Sequence, residues 1–574
     1  MYCVDLYRMW SPNINACQYA DDLCIYTTDK STKLVLQQLK AKFKIIKRWL
    51  FDNGFDLSVD KLQTIFFSRH RDLPTGSLRW MGVELKITSE ISYLGMILDS
   101  KLRWRPHIEK LIGRCERGIN LIRMISRVNW GADMHSNLKI YKAYVRSLLD
   151  YGCILYGCAS NSNLKRLDAV SNKALRLCMG AMCSCPGDVV QVEAREPPLS
   201  IRRNFLASKF VLKCKSQNSK ILPKLSELAV QDLVNLYWRL KNAPPLATAS
   251  RNLSDIAILR EGAISKDINY TDYISEIQVT FPPYQGISSL DNLLHQSIIR
   301  THQHALFIYT DGSKGENGCG CAYLIQPSGQ QNVFKLNGNA STFTAEATAI
   351  AYALREIHVV VTKKLVVMSD SLSVLKALDN KTNFYSTNPY ILDILTNVAR
   401  LRKEGIEIYF YWIKAHIGIS HNETVDKLAK GAVESGIILN IPQSKQDETA
   451  FMKQQILRTQ WEAEWRERCL RRPTQFYQSS IVRLKTAHGR FPTHLHRINL
   501  IPSAQCTFCN YEVADLNHLV LACPQNTNYT NIMMEGLLKL GLTHPLDVPT
   551  ILSTNDKGVY DILVRFVAAS KLPL

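Results

Sequence analysis

Four carboxylates and a histidine between residues 305 and 430 are of the types that divalent-metal chemistry requires. Asp311 follows the apolar run Ala305 to Thr310, and Asp370 follows Leu365-Val-Val-Met-Ser. Glu346 lies among Phe343, Ala347, Ile350, Leu354 and Ile357, which recur near a helical period, and Asp426 comes after Trp412-Ile-Lys-Ala-His416. Four acids brought together would repel one another unless a cation neutralised them, and an all-oxygen donor set suits Mg²⁺ or Mn²⁺. Two such ions about 4 Å apart can clamp a phosphodiester, one activating water and the other stabilising the leaving oxygen. A histidine such as His416 could then move a proton. Taken singly, each acid reads more readily as a helix cap or a strand-end turn, Asp311-Gly312 above all.

The elements that must position these residues alternate along the chain. Strands are predicted over 305–310, 319–325, 332–336, 364–369 and 406–412, and helices over 342–358, 371–378, 389–403 and 422–434. Such alternation makes an α/β layer fold, whose strand ends and helix starts converge on one sheet edge. On this reading Asp311 and Asp370 end strands, the glycine after Asp311 makes a turn, Glu346 sits in a first helical turn and Asp426 opens the last helix.

The words around these residues are more specific than their spacing. Thr310-Asp-Gly-Ser, Thr344-Ala-Glu, Ser369-Asp-Ser, and His416 followed by Gly418, Asn422, Glu423, Asp426, Leu428, Ala429 and Lys430 together resemble a type 1 ribonuclease H domain over residues 302–436. The resemblance implies a five-stranded mixed sheet, with Asp311, Glu346, Asp370 and Asp426 as ligands of two Mg²⁺ (or Mn²⁺) ions. It makes His416 the proton-handling residue and puts Ser313 and Asn422 at the substrate. It implies hydrolysis of the RNA strand of an RNA–DNA hybrid, a duplex distinguished by its shape and its 2′-hydroxyls. One position departs: His421 stands where the family's helix-start loop usually has glycine, a substitution costing about 1 kcal/mol if that position needs φ > 0.

Upstream, Gln18-Tyr-Ala-Asp21-Asp22-Leu reads as the tip of a hairpin, followed by a helix over about 32–53 closed by Gly54, then short strands over 63–68 and 91–98. With Tyr93-Leu-Gly95, Leu98-Asp-Ser-Lys-Leu-Arg-Trp and Tyr144-Val-Arg-Ser-Leu-Leu-Asp-Tyr-Gly152, this stretch resembles the late palm and thumb of a jockey-type non-LTR retrotransposon reverse transcriptase. That family needs a further aspartate on an earlier palm strand. Asp21 and Asp22 are therefore expected to be a vestigial polymerase motif, and the chain as it stands is not expected to polymerise DNA. Either a 5′-truncated copy or a gene model that starts late would account for this.

Near the other end, Cys506-x2-Cys509-x8-His518-x4-Cys523 has the ligand types and spacing of a structural Zn²⁺ site and is similar to the C-terminal Cys/His cluster of jockey-like elements. With the neighbouring basic stretch, Tyr477 and Phe491 included, it suits single-stranded RNA or DNA. Cys178, Cys183 and Cys185 are read as incidental.

The resulting expectation is a multidomain α/β chain: a partial polymerase palm (1–100), a helical thumb-like region (101–215), a helical connector (216–301), the ribonuclease H-like domain (302–436), a basic helical region (437–500) and a small C-terminal zinc module (501–530). Lys plus Arg number 70 against 50 Asp plus Glu, and the resulting +20 favours a polyanionic partner. No run approaches the ~18 apolar residues of a membrane span, the N-terminus lacks the pattern of a signal peptide, and sixteen cysteines read as thiols and metal ligands. A membrane protein and a small secreted scaffold are thereby excluded. The leading expectation is a metal-dependent ribonuclease acting on RNA–DNA hybrids, at work in the nucleus, the cytoplasm or both, with no protein partner named. The alternatives are a non-catalytic nucleic-acid-binding relic and, if coding sequence lies upstream, an RNA-directed DNA polymerase.

Overall fold

The computed structural model describes residues 15–20, 22–55, 58, 61–68, 77–80, 83–126, 131–235, 242–256, 277–284, 288–315, 318–336, 339–357, 363–380, 388–441, 444–463, 479–487, 489–543, 545–554 and 556–572. They form a mixed α/β molecule of two compact units, one made of 1–152, 159–194 and 474–574, the other of 153–158 and 195–473. No helix among the described residues is long and apolar enough to cross a membrane.

In the first unit, β1 (Asn15–Tyr19) and β2 (Asp22–Tyr26) make the expected hairpin. Its inner residues Leu23 and Ile25 pack on Ile46 and Trp49 of the helix Thr32–Asp52. Hairpins β3 (Ser77–Trp80) with β4 (Val83–Lys86), and β5 (Glu90–Tyr93) with β6 (Met96–Asp99), follow. The single strand predicted over 91–98 is thus two strands, because Leu94 and Gly95 both take positive φ (46° and 78°) and reverse the chain. Residues 63–68 form no strand beyond a bridge from Thr64 to Ile87. Helix Arg105–Ile125 buries Ile108, Leu111, Cys115, Ile119 and Ile122 at helical spacing against Asn161–Met179, with Glu116 paired to Lys173 at 2.9 Å.

The C-terminal helices Ser479–Thr486, Thr527–Lys539, Val548–Ser553 and Lys557–Ser570 share one apolar core with Phe491, Leu519 and Val520. This core is fastened to residues 159–194 by Arg483 Nε donating to the Gly180 carbonyl (2.9 Å) and by the buried pair Lys485–Glu193. Phe491, expected to stack on bases, is 2% exposed within this core, so its ring is spent on packing; Tyr477 lies outside the described residues.

The second unit is organised by one mixed sheet. Its strands are β7 (Gln278–Thr280), β8 (Leu306–Gly315), β9 (Gly318–Gln326), β10 (Gln330–Leu336), β11 (Lys364–Ser369), β12 (Glu407–Trp412) and β13 (Ile437–Leu439), in the order β13-β10-β9-β8-β11-β12-β7. The five inner strands are those expected. One short strand at each edge, from sequence too brief to show a period, extends the sheet to seven. Strands β8, β11, β12 and β7 run parallel, and β9 is antiparallel to β8 and β10.

Alternation along β11 divides the two faces: Leu365 and Val367 join one core, Val366 and Met368 the other. The first core is covered by α2 (Thr342–Arg355), α3 (Leu372–Asp379) and α4 (Pro389–Lys403); the second contains Ile298 of α1 (Ser288–Thr301) and Val425 and Ala429 of α5 (Ser420–Ser435). Beyond the sheet, α6 (Lys445–Gln454) is latched to α2, where Thr344 Oγ1 donates to Asp447 Oδ2 at 2.5 Å.

Candidate active site and metal centres

Asp311 does not end its strand. β8 continues through it to Gly315, with Asp311 opposite Ala322 and Gly312 opposite Cys321. The glycine is needed for clearance rather than for a turn: a Cβ on Gly312 would stand 2.4 Å from the Glu346 amide nitrogen and 2.7 Å from the Ala345 carbonyl carbon. Helix α2 therefore lies directly on β8 at the point where Glu346 must reach Asp311. Its N-cap is Ser341, whose Oγ accepts from Thr344 N (3.2 Å), so Glu346 is the fifth helical residue and sits beyond the first turn. The parallel register Ser369↔Thr310 then sets Asp370, the residue after β11, beside Asp311. Asp426 does not open α5, which starts six residues earlier at Ser420.

These elements bring carboxylate oxygens of Asp311, Glu346 and Asp370 within 4.8 Å of one another. Asp426 stands outside that group, and its Oδ2 accepts from Lys430 Nζ at 2.7 Å one turn on. Asn422, 3% exposed, donates from Nδ2 to Asp370 Oδ2 (3.4 Å), so its amide orients a carboxylate. Ser313 lies half-buried two residues beyond Asp311, opposite Gly320. His416 is exposed on the loop between β12 and α5, with a left-handed backbone (φ 57°), and its charge favours the Asp370 carboxylate. His421 is absent from the positive-φ positions, which in this loop are His416 and Gly418, and it occupies the first turn of α5, so the glycine-to-histidine strain does not arise.

The electrostatics follow from burial. Desolvation, then the neighbouring charges of Asp370 and Asp426, push the Asp311 carboxyl up to about 7 against the Gly312 N–H, which pulls it down. Glu346 is raised well above the ordinary carboxylate range by burial, then by Asp311 and Asp370, and Asp370 is raised chiefly by burial. Glu346 Oε2 is buried without a hydrogen-bond partner among the described residues. Three crowded carboxyls that resist ionisation, one with an orphaned oxygen, fit a hard divalent cation.

A second cluster joins Cys506, Cys509, His518 and Cys523, whose ligand atoms also lie within 4.8 Å of one another. A π-helical turn, His518–Ala522, followed by extended Cys523 returns that sulfur to 3.9 Å from Cys509 Sγ, while His518 Nε2 stands 3.3 Å from Cys509 Sγ. Sulfurs about 3.8 Å apart are what a tetrahedral ion with bonds of about 2.3 Å requires, so this donor set fits Zn²⁺. The exposed aromatics here are Phe508 and Tyr511, the latter stacked on His518 at 4.6 Å. Of the upstream pair, Asp22 is exposed at the start of β2, and Asp21 lies outside the described residues.

Residues 303–434 match the RNase H family model. The chain carries an RNase H domain. It is also similar, at low identity, to the RNA-directed DNA polymerase from mobile element jockey of Drosophila funebris, 25% identical over 214 residues, which cover 37% of this chain and 23% of that protein. The jockey polymerase of Drosophila melanogaster is 23% identical over 213 residues (37% and 23%). A transposon BS protein of the same fly, described as an RNA-directed DNA polymerase, is 25% identical over 188 residues (32% and 20%). The chain spans about a fifth to a quarter of the length of these relatives. The RNase H match begins at residue 303, yet α1, β13 and α6, which lie outside it, pack on the same sheet or helices.

Proposed function

We propose that the RNase H domain hydrolyses the RNA strand of RNA–DNA hybrids endonucleolytically and depends on a divalent metal. The observation that carries this reading is the convergence of Asp311, Glu346 and Asp370 within 4.8 Å in the matched span. With Asp426 they would hold Mg²⁺ or Mn²⁺, which when bound activates water and stabilises the leaving oxygen. Asn422 keeps one Asp370 oxygen turned toward its own amide, which leaves the other for the metal. His416, exposed at the mouth of the site, moves the proton of the departing 3′ oxygen. Ser313 and the α5 start face the hybrid.

On the same reading 1–100 is a palm fragment and 101–215 a thumb-like region, and Cys506, Cys509, His518 and Cys523 hold a Zn²⁺ that fixes a surface for single-stranded RNA or DNA. The protein then works in the nucleus, the cytoplasm or both. The test is the full chain with an end-labelled RNA–DNA duplex and Mg²⁺, beside Asp370→Asn. Internal cuts in the RNA strand are expected, to be lost with EDTA and in the variant, with double-stranded RNA spared. A folded chain that leaves the hybrid intact would overturn the reading.

A further inference from the structure

Helix α1 has an unusual buried face. Asp291, His295, Ile298 and, one residue past the helix end, His302 recur at spacings of four, three and four, and each is 1–7% exposed. Titratable groups are expensive to bury unless something specifies them, and two specific contacts do so here. His295 Nε2 lies 3.2 Å from the Tyr309 hydroxyl, and His302 Nε2 lies 2.8 Å from the Tyr411 hydroxyl.

These contacts lead to the active site. Tyr309 is two residues before Asp311 on the same face of β8, and its ring is 5.2 Å from that of His421. His421 immediately precedes Asn422, whose amide reaches Asp370. Ile298 shares its core with Ile413, Ile417 and Ile419, the buried anchors on either side of exposed His416. Asn292 lies over Gly418, where a Cβ would stand 3.7 Å from its Nδ2. Helix α1 thus meets the His416 loop at Gly418 and reaches the first turn of α5 through Tyr309. Between these anchors His416 takes a left-handed backbone, φ 57°.

We propose that α1, which precedes the RNase H match, clamps the His416 loop and the start of α5 in their working geometry, with His295 as a positioning residue acting through Tyr309 and His421. The consequence for cleavage rests on the nuclease reading above; the clamp itself does not. A histidine here, rather than an apolar residue, answers the Tyr309 hydroxyl through its Nε2.

The test uses the full chain with His295→Ala, His295→Gln and Tyr309→Phe, the last deleting a hydroxyl while keeping the ring. Cleavage kinetics and hydrogen exchange of the 413–422 peptides are read together. In His295→Ala and Tyr309→Phe, kcat is expected to fall about five- to tenfold with KM for the hybrid unchanged. His295→Gln, which can still hydrogen-bond the hydroxyl, should recover most of it, and 413–422 should exchange faster while 364–370 stays protected. Wild-type kcat and unchanged 413–422 exchange in Tyr309→Phe would overturn the proposal, as would equal impairment in His295→Gln and His295→Ala. If the wild type itself cuts nothing, the nuclease reading fails, and exchange at 413–422 alone decides the clamp: faster exchange upholds it and unchanged exchange overturns it.

Discussion

The crowded carboxyls make a quantitative demand on stability. Asp311 is raised from 3.8 to about 7 by burial and by its acidic neighbours, so between those values the folded chain binds a proton that the unfolded chain has released. Stability then falls as pH rises through this window, is fully present below about pH 4, and has lost Asp311's share above about pH 7. At about 1.4 kcal/mol per tenfold change in proton affinity, that share is about 4 kcal/mol, and Glu346 and Asp370, raised in the same direction, add to it. The assay is pulse proteolysis of the full chain across a urea series in EDTA at pH 4.5, 6 and 8, scoring peptides from 306–315 and 364–370 so that the RNase H sheet is read apart from the other unit. The midpoint for those peptides should drop steadily with pH, and MgCl₂ at pH 8 should restore it. Asp370→Asn, which removes one repelling charge, should be more stable than wild type in EDTA at pH 8 and gain less from Mg²⁺. A pH-independent midpoint would refute the reasoning, and so would an Asp370→Asn chain less stable than wild type under those conditions.

Other perturbations act on single contacts. Gly312→Ala forces a methyl against the α2 backbone at 2.4 Å, and since backbone cannot swing aside, a loss of about 3 kcal/mol or more in the same peptides and abolished cleavage are expected. Asn422→Ala should raise the Mg²⁺ concentration for half-maximal cleavage about tenfold with little change in urea midpoint, measured by metal titration of the rate. The purified chain should contain one zinc by elemental analysis. Cys509→Ser should lose it and expose the 479–572 core to protease while the 306–315 peptides keep their midpoint.

Most of the inner sheet was legible because each strand is a short apolar run bounded by turn residues and each helix keeps an apolar stripe; β11 and α4 fall on the residues their patterns indicate. What pattern could not supply was the path of the chain at the site. Asp311-Gly312 looks like a turn, since that pair favours turns locally, but pairing of β8 with β9 overrides the local preference and glycine serves clearance instead. Asn422 was legible as a residue near the site but not as the amide that orients Asp370, a relation that spans 52 positions. The α1 face was missed for another reason. Its buried positions are titratable, so a search for apolar spacing passes over them; scoring Asp291, His295, Ile298 and His302 by period alone would have found them.

The arrangement also explains why so costly a site can persist in a folded chain. Asp311, Glu346 and Asp370 each resist ionisation, so the metal-free site opposes folding at neutral pH. The opposition is met by elements that cannot yield independently: β8 and β11 are central strands buried on both faces, and α2 is fixed on one side by Gly312 and on the other by Asp447 through Thr344. Carboxyls on loops would move apart and lower their repulsion. On this framework they stay together, so on the proposed reading a divalent cation would relieve their repulsion without first having to gather its ligands. The clamp proposed for α1 applies the same logic to the His416 loop, which would otherwise be free to drift from the acids.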